Sequence, residues 1–337
     1  MSIKFDFLQH NGESILITID ENQPSQHIIL LDGGCSHPFL DAEQPEINTI
    51  IVTHIDHDHI NGIIELLEEN QQTTQISRIL FNEPKSSNLF KIMNNSTQTS
   101  ISQGNKLQEI IDKTGQIAEH QNDVCFEENN IIEINESTYL QILTPTREVL
   151  DTLHNKWNKD AYEQTEDTST SSTIQSNLKD KSIKDLANVN FEKDNSLSNK
   201  SSISFILHHY NHKFLFLGDA HIDEVNKALK SLGYEHNPLS IRFVKISHHG
   251  SKKNINNEFL KMIRTNKYII CPTYDEDRKH PSKETIAKIA YFANKENKES
   301  PVTIEITKDI NPILNFTKKE KEEYNFVIGT IQNIFFG

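Results

Sequence analysis

The segment INTIIVTHIDHDHINGIIELLEEN, residues 47–70, constrains the fold more than any other part of the chain. An apolar run reads as a buried strand. It passes directly into ten residues, 53–62, that hold three histidines and two aspartates. Ile60, Ile63, Ile64 and Leu67 then recur at helical spacing on one face. A strand that enters a helix through a loop of metal-ligand residues is a βα unit, which points to an α/β protein with chemistry at the strand's end.

The rest of the chain agrees with that class. IKFDFLQ, SILITID and HIILLDGG read as three short strands ahead of this unit, and ISRILFN, IIEIN and TYLQILTP as strands after it, with a helix at NKLQEIIDKT. SSISFILHHYNHKFLFLGD reads as a hairpin turning at Asn211-His212. There follow a helix (DEVNKALKSLG), a strand (IRFVKIS), a helix (NEFLKMIRT), a strand (KYIICPTY) and a helix that Pro281 opens at its first position. Strands at VTIEIT and NFVIGTI form a C-terminal extension over about 300–337. Two runs of strands and helices of similar length suggest one domain over 1–337, built from two halves. About 164–202 is rich in Ser, Thr, Asn, Asp and Lys and has little to bury, so it reads as a polar, mobile insert.

Charge sets limits on function. A net charge of -14 excludes the broad basic surface of a general nucleic-acid coat, but not a small positive pocket. The first residues lack the apolar run of a signal peptide, and no stretch approaches the roughly 20 apolar residues of a membrane span. Cys35, Cys125 and Cys271 are far apart, form neither a zinc nor a redox pattern, and read as buried thiols. The expected location is the cytoplasm.

The ligand loop matches H-x-D-x-D-H at His54, Asp56, Asp58 and His59. An extended loop presents alternate residues to one side, so His54 and Asp56 can point together. Asp58 and His59 fall in the first turn of the helix and can aim at a second ion. His57 is off this alternation and faces away.

With LDGG upstream, FLFLGD downstream and then KISHHGS, the chain resembles the metallo-β-lactamase fold superfamily. More narrowly, it resembles the branch that includes the soluble hydrolase domain of ComEC-type competence (DNA-uptake) proteins. The resemblance implies a four-layer αββα sandwich holding two divalent ions. In that pattern Asp32 braces the ligand loop, and Asp219 bridges the ions beside His54, Asp56, Asp58 and His59. His249 is the next ligand, His248 faces substrate, and His280 is a substrate or acid contact, or else a ligand. Asp58, His248 and His280 are the residues the resemblance assigns to catalysis.

Two departures stand out. Many members have histidine at the position of Asp56, and many have a histidine one strand before the bridging aspartate. A turn at Asn211-His212 would set Asp219 level with Ser204 and leave only Asn or Ser at the missing position. His208 and His209 would lie about 13 Å away along the strand. They and His212 are therefore expected at the surface.

Basic residues flank both late motifs in an otherwise acidic chain: Lys252 and Lys253 after HHGS, Arg278 and Lys279 before His280. That reversal of sign favours an anionic substrate, a nucleic acid or a nucleotide. The expected activity is hydrolysis of a phosphodiester, as a phosphodiesterase or nuclease. The oxygen-rich ligand set admits manganese as well as zinc. The alternatives are a hydrolase of another ester, lactam or thioester, or a metal-binding subunit with protein partners in a multi-component bacterial system, anti-phage systems among them.

Overall fold

A computed structural model describes residues 2–8, 12–39, 44–69, 75–83, 100–128, 130–160, 181–273, 280–293, 300–308 and 314–337. It divides the chain into two compact units. The first comprises Met1–Asn130, Pro145–Ser169 and Asn333–Gly337, and the second Ile131–Thr144 and Thr170–Gln332.

The first unit contains β1 (Ile3–Phe7), β2 (Ile15–Ile19), β3 (His27–Leu31), β4 (Thr49–Ile51), α1 (His57–Glu69), β5 (Arg78–Leu80), α2 (Ser100–Thr114), β6 (His120–Gln121) and α3 (Arg147–Asp160). β17 (Asn333–Phe336), from the chain's end, adds an edge strand. The sheet order is β17-β1-β2-β3-β4-β5-β6. β17, β1, β2 and β3 pair antiparallel, and β3 to β6 parallel. β1 alternates buried and half-buried residues, as a strand with one covered face must, whereas all three residues of β4 are buried.

Helix α1 runs back along its sheet at very close range, because glycines remove side chains from the contact. A Cβ on Gly62 would lie 2.0 Å from the Gly33 carbonyl oxygen, and one on Gly33 would lie 2.4 Å from the Ile63 nitrogen. Gly33 N donates to the His59 carbonyl at 2.7 Å, and Gly62 N to the Gly34 carbonyl at 2.9 Å. The loop after β3 and the first turns of α1 are thus one hydrogen-bonded body. Gly62→Ala should destabilise the protein by at least about 3 kcal/mol, since backbone rather than a mobile side chain blocks the new methyl. Denaturant titration of the variant would measure it, and an unchanged midpoint would refute the close approach.

The second unit has the same plan. Its elements are β7 (Ile131–Asn135), β8 (Thr138–Thr144), α4 (Ile183–Ala187), α5 (Leu197–Lys200), β9 (Ser204–His209), β10 (His212–Phe216), α6 (Ile222–Ser231), β11 (Leu239–Ser240), β12 (Val244–Lys245), α7 (Asn257–Met262), β13 (Ile263–Arg264), β14 (Lys267–Ile270), α8 (Lys283–Phe292), β15 (Val302–Ile306), α9 (Lys318–Glu323) and β16 (Phe326–Thr330). The main sheet is ordered β16-β15-β14-β12-β10-β9-β8-β7, antiparallel from β7 to β10 and parallel from β10 to β16. No helix among the described residues is long and apolar enough to cross a membrane.

Four expectations need correction here. Residues 164–180 of the polar stretch lie outside the described residues, but 181–202 are part of the folded unit. Ile183, Leu186 and Ala187 of α4 are buried, and α4 packs on α8. A few apolar residues among many polar ones suffice to anchor a short helix. Pro281 precedes the N-cap residue Ser282 of α8 and is not the first helical residue.

The hairpin turns one residue earlier than expected, with His209 paired to His212. Ser202 rather than Ser204 therefore meets Asp219, whose N–H donates to Ser202 Oγ at 3.0 Å. His208 and His209 are 7% and 1% exposed, because β9 is an interior strand of the sheet; only His212 is half-buried. His209 Nδ1 lies 2.8 Å from Thr138 Oγ1, and His208 stacks on Tyr139 at 4.3 Å between ring centroids.

That burial has a pH consequence. Desolvation, helped by the Lys213 charge, holds the His208 pKa down at about 4 against an ordinary 6.5. The folded state therefore resists a proton that the unfolded chain accepts. Stability from this residue is complete above pH 6.5 and is lost as pH falls from there through about 4. The loss is on the order of 2 kcal/mol after allowing for solvent screening. His208→Gln should flatten the fall in Tm between pH 6.5 and 4, and an unaltered slope would refute this origin.

Candidate metal-binding clusters

Both units place their ligand-type residues just past the carboxyl ends of parallel strands, where α/β sheets commonly bind ligands. In the first unit Asp32 follows β3 and Thr53 to His59 follow β4. In the second, Asp219 follows β10, Ser247 to Gly250 follow β12, and Cys271 to Thr273 follow β14.

Asp32 is fully buried and accepts from Thr53 N and Thr53 Oγ1, each at 2.7 Å. His59 Nδ1 lies 2.7 Å from the same carboxylate, so that nitrogen carries the hydrogen and Nε2 is left as the atom able to ligate. His54 is held likewise, its Nδ1 3.1 Å from Thr53 Oγ1. The two imidazoles lie 4.2 Å apart between centroids. One ligating atom of His59 is within 4.8 Å of one on His54 and of one on Asp58.

Asp58 is buried in the first turn of α1, and its carbonyl accepts from Glu13 N at 2.9 Å. Asp56, half-buried, has Oδ2 3.6 Å from His54 Nε2 and takes a 2.9 Å hydrogen bond from Ser100 Oγ. His57 turns to α2, its Nδ1 2.8 Å from Gln103 Nε2.

In the second unit Asp219 is buried between two imidazoles. His249 Nε2 and His248 Nε2 are 3.7 Å and 3.8 Å from its Oδ2. His248 and His249 take successive φ values of 48° and 51°, left-handed conformations rare for residues other than glycine, and Gly250 follows at 82°. The tight turn splays the rings to 70° and separates their environments. His249 is 2% exposed, and its Nδ1 is 2.9 Å from the Cys271 carbonyl. The His248 side chain is 22% exposed, and its Nδ1 is 3.1 Å from Asp194 Oδ2 and 3.0 Å from Asn254 Oδ1. Burial opposes the charge on His248, but Asp219 and Asp194 outweigh it and raise its pKa to about 9. A cation held by Asp219 would oppose that rise.

His280 lies beside His248, 5.5 Å between ring centroids. Lys252 Nζ reaches Glu284 at 3.8 Å. Lys253 lines a cavity of about 280 Å³ together with Asp194, Lys193, Lys200 and His221. Arg278 and Lys279 lie outside the described residues. Under this cluster, burial pushes fully buried Lys245 down to about 8, with the Cys271 thiol opposing, and its ammonium donates to the Gly218 carbonyl at 3.1 Å. Cys125 and Cys271 are buried and Cys35 is half-buried.

The donor chemistry fits metal. Ligating histidines characteristically give their second nitrogen to a carboxylate or a backbone carbonyl, and His59–Asp32 and His249–Cys271 are those two pairings. Sequence reasoning missed Asp194 and Asn254. Asp194 sits in the stretch read as an insert, 54 positions from the histidine it contacts. Its local signal, an aspartate just before the helix N-cap Ser196, is common to many helix starts.

No family model and no curated protein matches the chain. The chain resembles several solved structures at low identity and low TM-score. The metallo-β-lactamase fold protein YhfI from Bacillus subtilis is 10% identical with a TM-score of 0.44, over 100% of this chain and 99% of that one. The short form of human tRNase Z is 11% identical with a TM-score of 0.40, over 80% of this chain and 91% of that one. A mutant of the β-hydroxylase CmlA is 10% identical with a TM-score of 0.43, over 99% of this chain. The chain spans 53% of that protein's length. At these identities and TM-scores the likeness assigns this chain no role.

Proposed function

We propose that the protein is a metal-dependent hydrolase that cleaves phosphodiesters, of the ComEC-like kind its motifs resemble. The observation that carries the metal is the paired histidine chemistry: His59 on the buried Asp32 carboxylate and His249 on a backbone carbonyl, each presenting Nε2. In this reading His54, Asp56, Asp58, His59, Asp219 and His249 are the residues that would hold two divalent ions, zinc or manganese. Bound ions of this type activate water and neutralise charge on a phosphoryl group. Asp32 holds His59 in one tautomer, and His248 and His280 contact the substrate. Lys252, Lys253, Arg278 and Lys279 favour an anion, which selects phosphodiester over neutral ester, lactam or thioester.

The test is hydrolysis of bis-p-nitrophenyl phosphate and of single-stranded DNA, each with Mn²⁺ and with Zn²⁺. Turnover of either that disappears on chelation is the expected result. Turnover of a thioester or lactam alone would move the substrate class. No turnover at all with metal bound would favour a control subunit.

A further inference from the structure

We propose that Asp194 is a positioning residue for His248, holding the imidazole with its hydrogen on Nδ1 and Nε2 turned toward Asp219. This rests on the hydrolase reading only for its effect on turnover. The placement of the hydrogen follows from the hydrogen bonds themselves.

Asp194 is clamped before it meets the histidine. Its Oδ1 accepts from Ser196 N at 3.1 Å, and its Oδ2 accepts from Asn199 Nδ2 at 2.8 Å and Asn254 Nδ2 at 3.2 Å. The side chain is 10% exposed. Oδ2 also reaches His248 Nδ1 at 3.1 Å, with His221 Nε2 farther off at 3.8 Å. The second close neighbour of that nitrogen is Asn254 Oδ1 at 3.0 Å, another acceptor. Two acceptors on one ring nitrogen require that it carry the hydrogen. Among the described residues Asn199 Nδ2, at 3.4 Å, is the competing donor, and its shorter bond goes to Asp194. The amide of Asn254 ties the arrangement to the strand end, since Nδ2 also lies 3.3 Å from the Asp219 carbonyl. The arrangement matters because the φ of 48° at His248 fixes its backbone, leaving ring rotation as the freedom that Asp194 removes.

The decisive experiment compares wild type, Asp194→Asn, His248→Ala and the double variant, all zinc-loaded. Nitrogen-15 NMR of labelled histidine, with His248 assigned by its loss in His248→Ala, reads the ring directly. Nδ1 should carry the hydrogen in wild type. In Asp194→Asn the side-chain oxygen stays toward Asn199 Nδ2 and Asn254 Nδ2 as a neutral, weaker acceptor, so the share of hydrogen on Nδ1 should fall in favour of Nε2. Turnover of bis-p-nitrophenyl phosphate should fall roughly 10- to 100-fold in kcat with KM within about twofold, at unchanged zinc content. The double variant should be no slower than His248→Ala, because a residue acting through His248 has nothing left to act on.

A bare Nδ1 in wild type overturns the proposal, and that reading holds even if Asp194→Asn fails to fold. So does wild-type kcat in Asp194→Asn, or a further loss in the double variant. If wild type turns over no phosphodiester, the hydrolase reading falls while the NMR result still decides the role of Asp194.

Discussion

Asp58→Ala should leave a folded chain that has lost its metal and at least about 10³ of its turnover. Asp58 is buried at the first turn of α1, within 4.8 Å of a ligating atom of His59, and its backbone contact to Glu13 N survives the substitution. The wild type should hold close to two ions per chain by elemental analysis. Asp32→Asn offers a graded comparison. It keeps the volume of the buried carboxylate but weakens its hydrogen bond to His59 Nδ1, so metal affinity should fall roughly 10- to 100-fold rather than vanish. Near-zero metal in wild type, or full metal in Asp58→Ala, would remove the basis for the assignment. Equal losses in the two variants would make Asp32 a ligand rather than a brace.

The neighbouring histidines should separate cleanly. His249→Ala should lose both metal and activity, because His249 is buried, is oriented by the Cys271 carbonyl and presents Nε2 3.7 Å from Asp219. His248→Ala should keep the metal and lower turnover by roughly 10²- to 10⁴-fold, the range for loss of a positioned acid or base. Its side chain is the more exposed of the two and lies beside His280, where a substrate can reach it. Metal lost only from His248→Ala would exchange the two roles. Metal and turnover unaffected in both would remove catalysis from this turn altogether.

Much of this protein was legible in its residues. The strand-to-helix passage around His54–His59, the buried face of α1, and most strands of both sheets followed from periodicity and from ligand-type residues adjacent in sequence. The outward turn of His57 was legible too, from the two-residue alternation of the loop. Short strands such as β6, β11 and β13 were not, because two residues carry no period.

Sequence alone determined the α/β class, the order of its elements and the loop able to hold metal, because those depend on neighbours within a few residues. Tertiary structure decided what lies tens of positions apart. A one-residue change in the hairpin turn moved Ser202 to Asp219. Sheet neighbours buried His208 and His209, which their distance from Asp219 along the strand had placed at the surface. A polar segment supplied Asp194 to a histidine 54 residues away. Hydrogen-bond partners of that kind are chosen by how packed elements meet in space, and no local pattern of residues encodes the meeting.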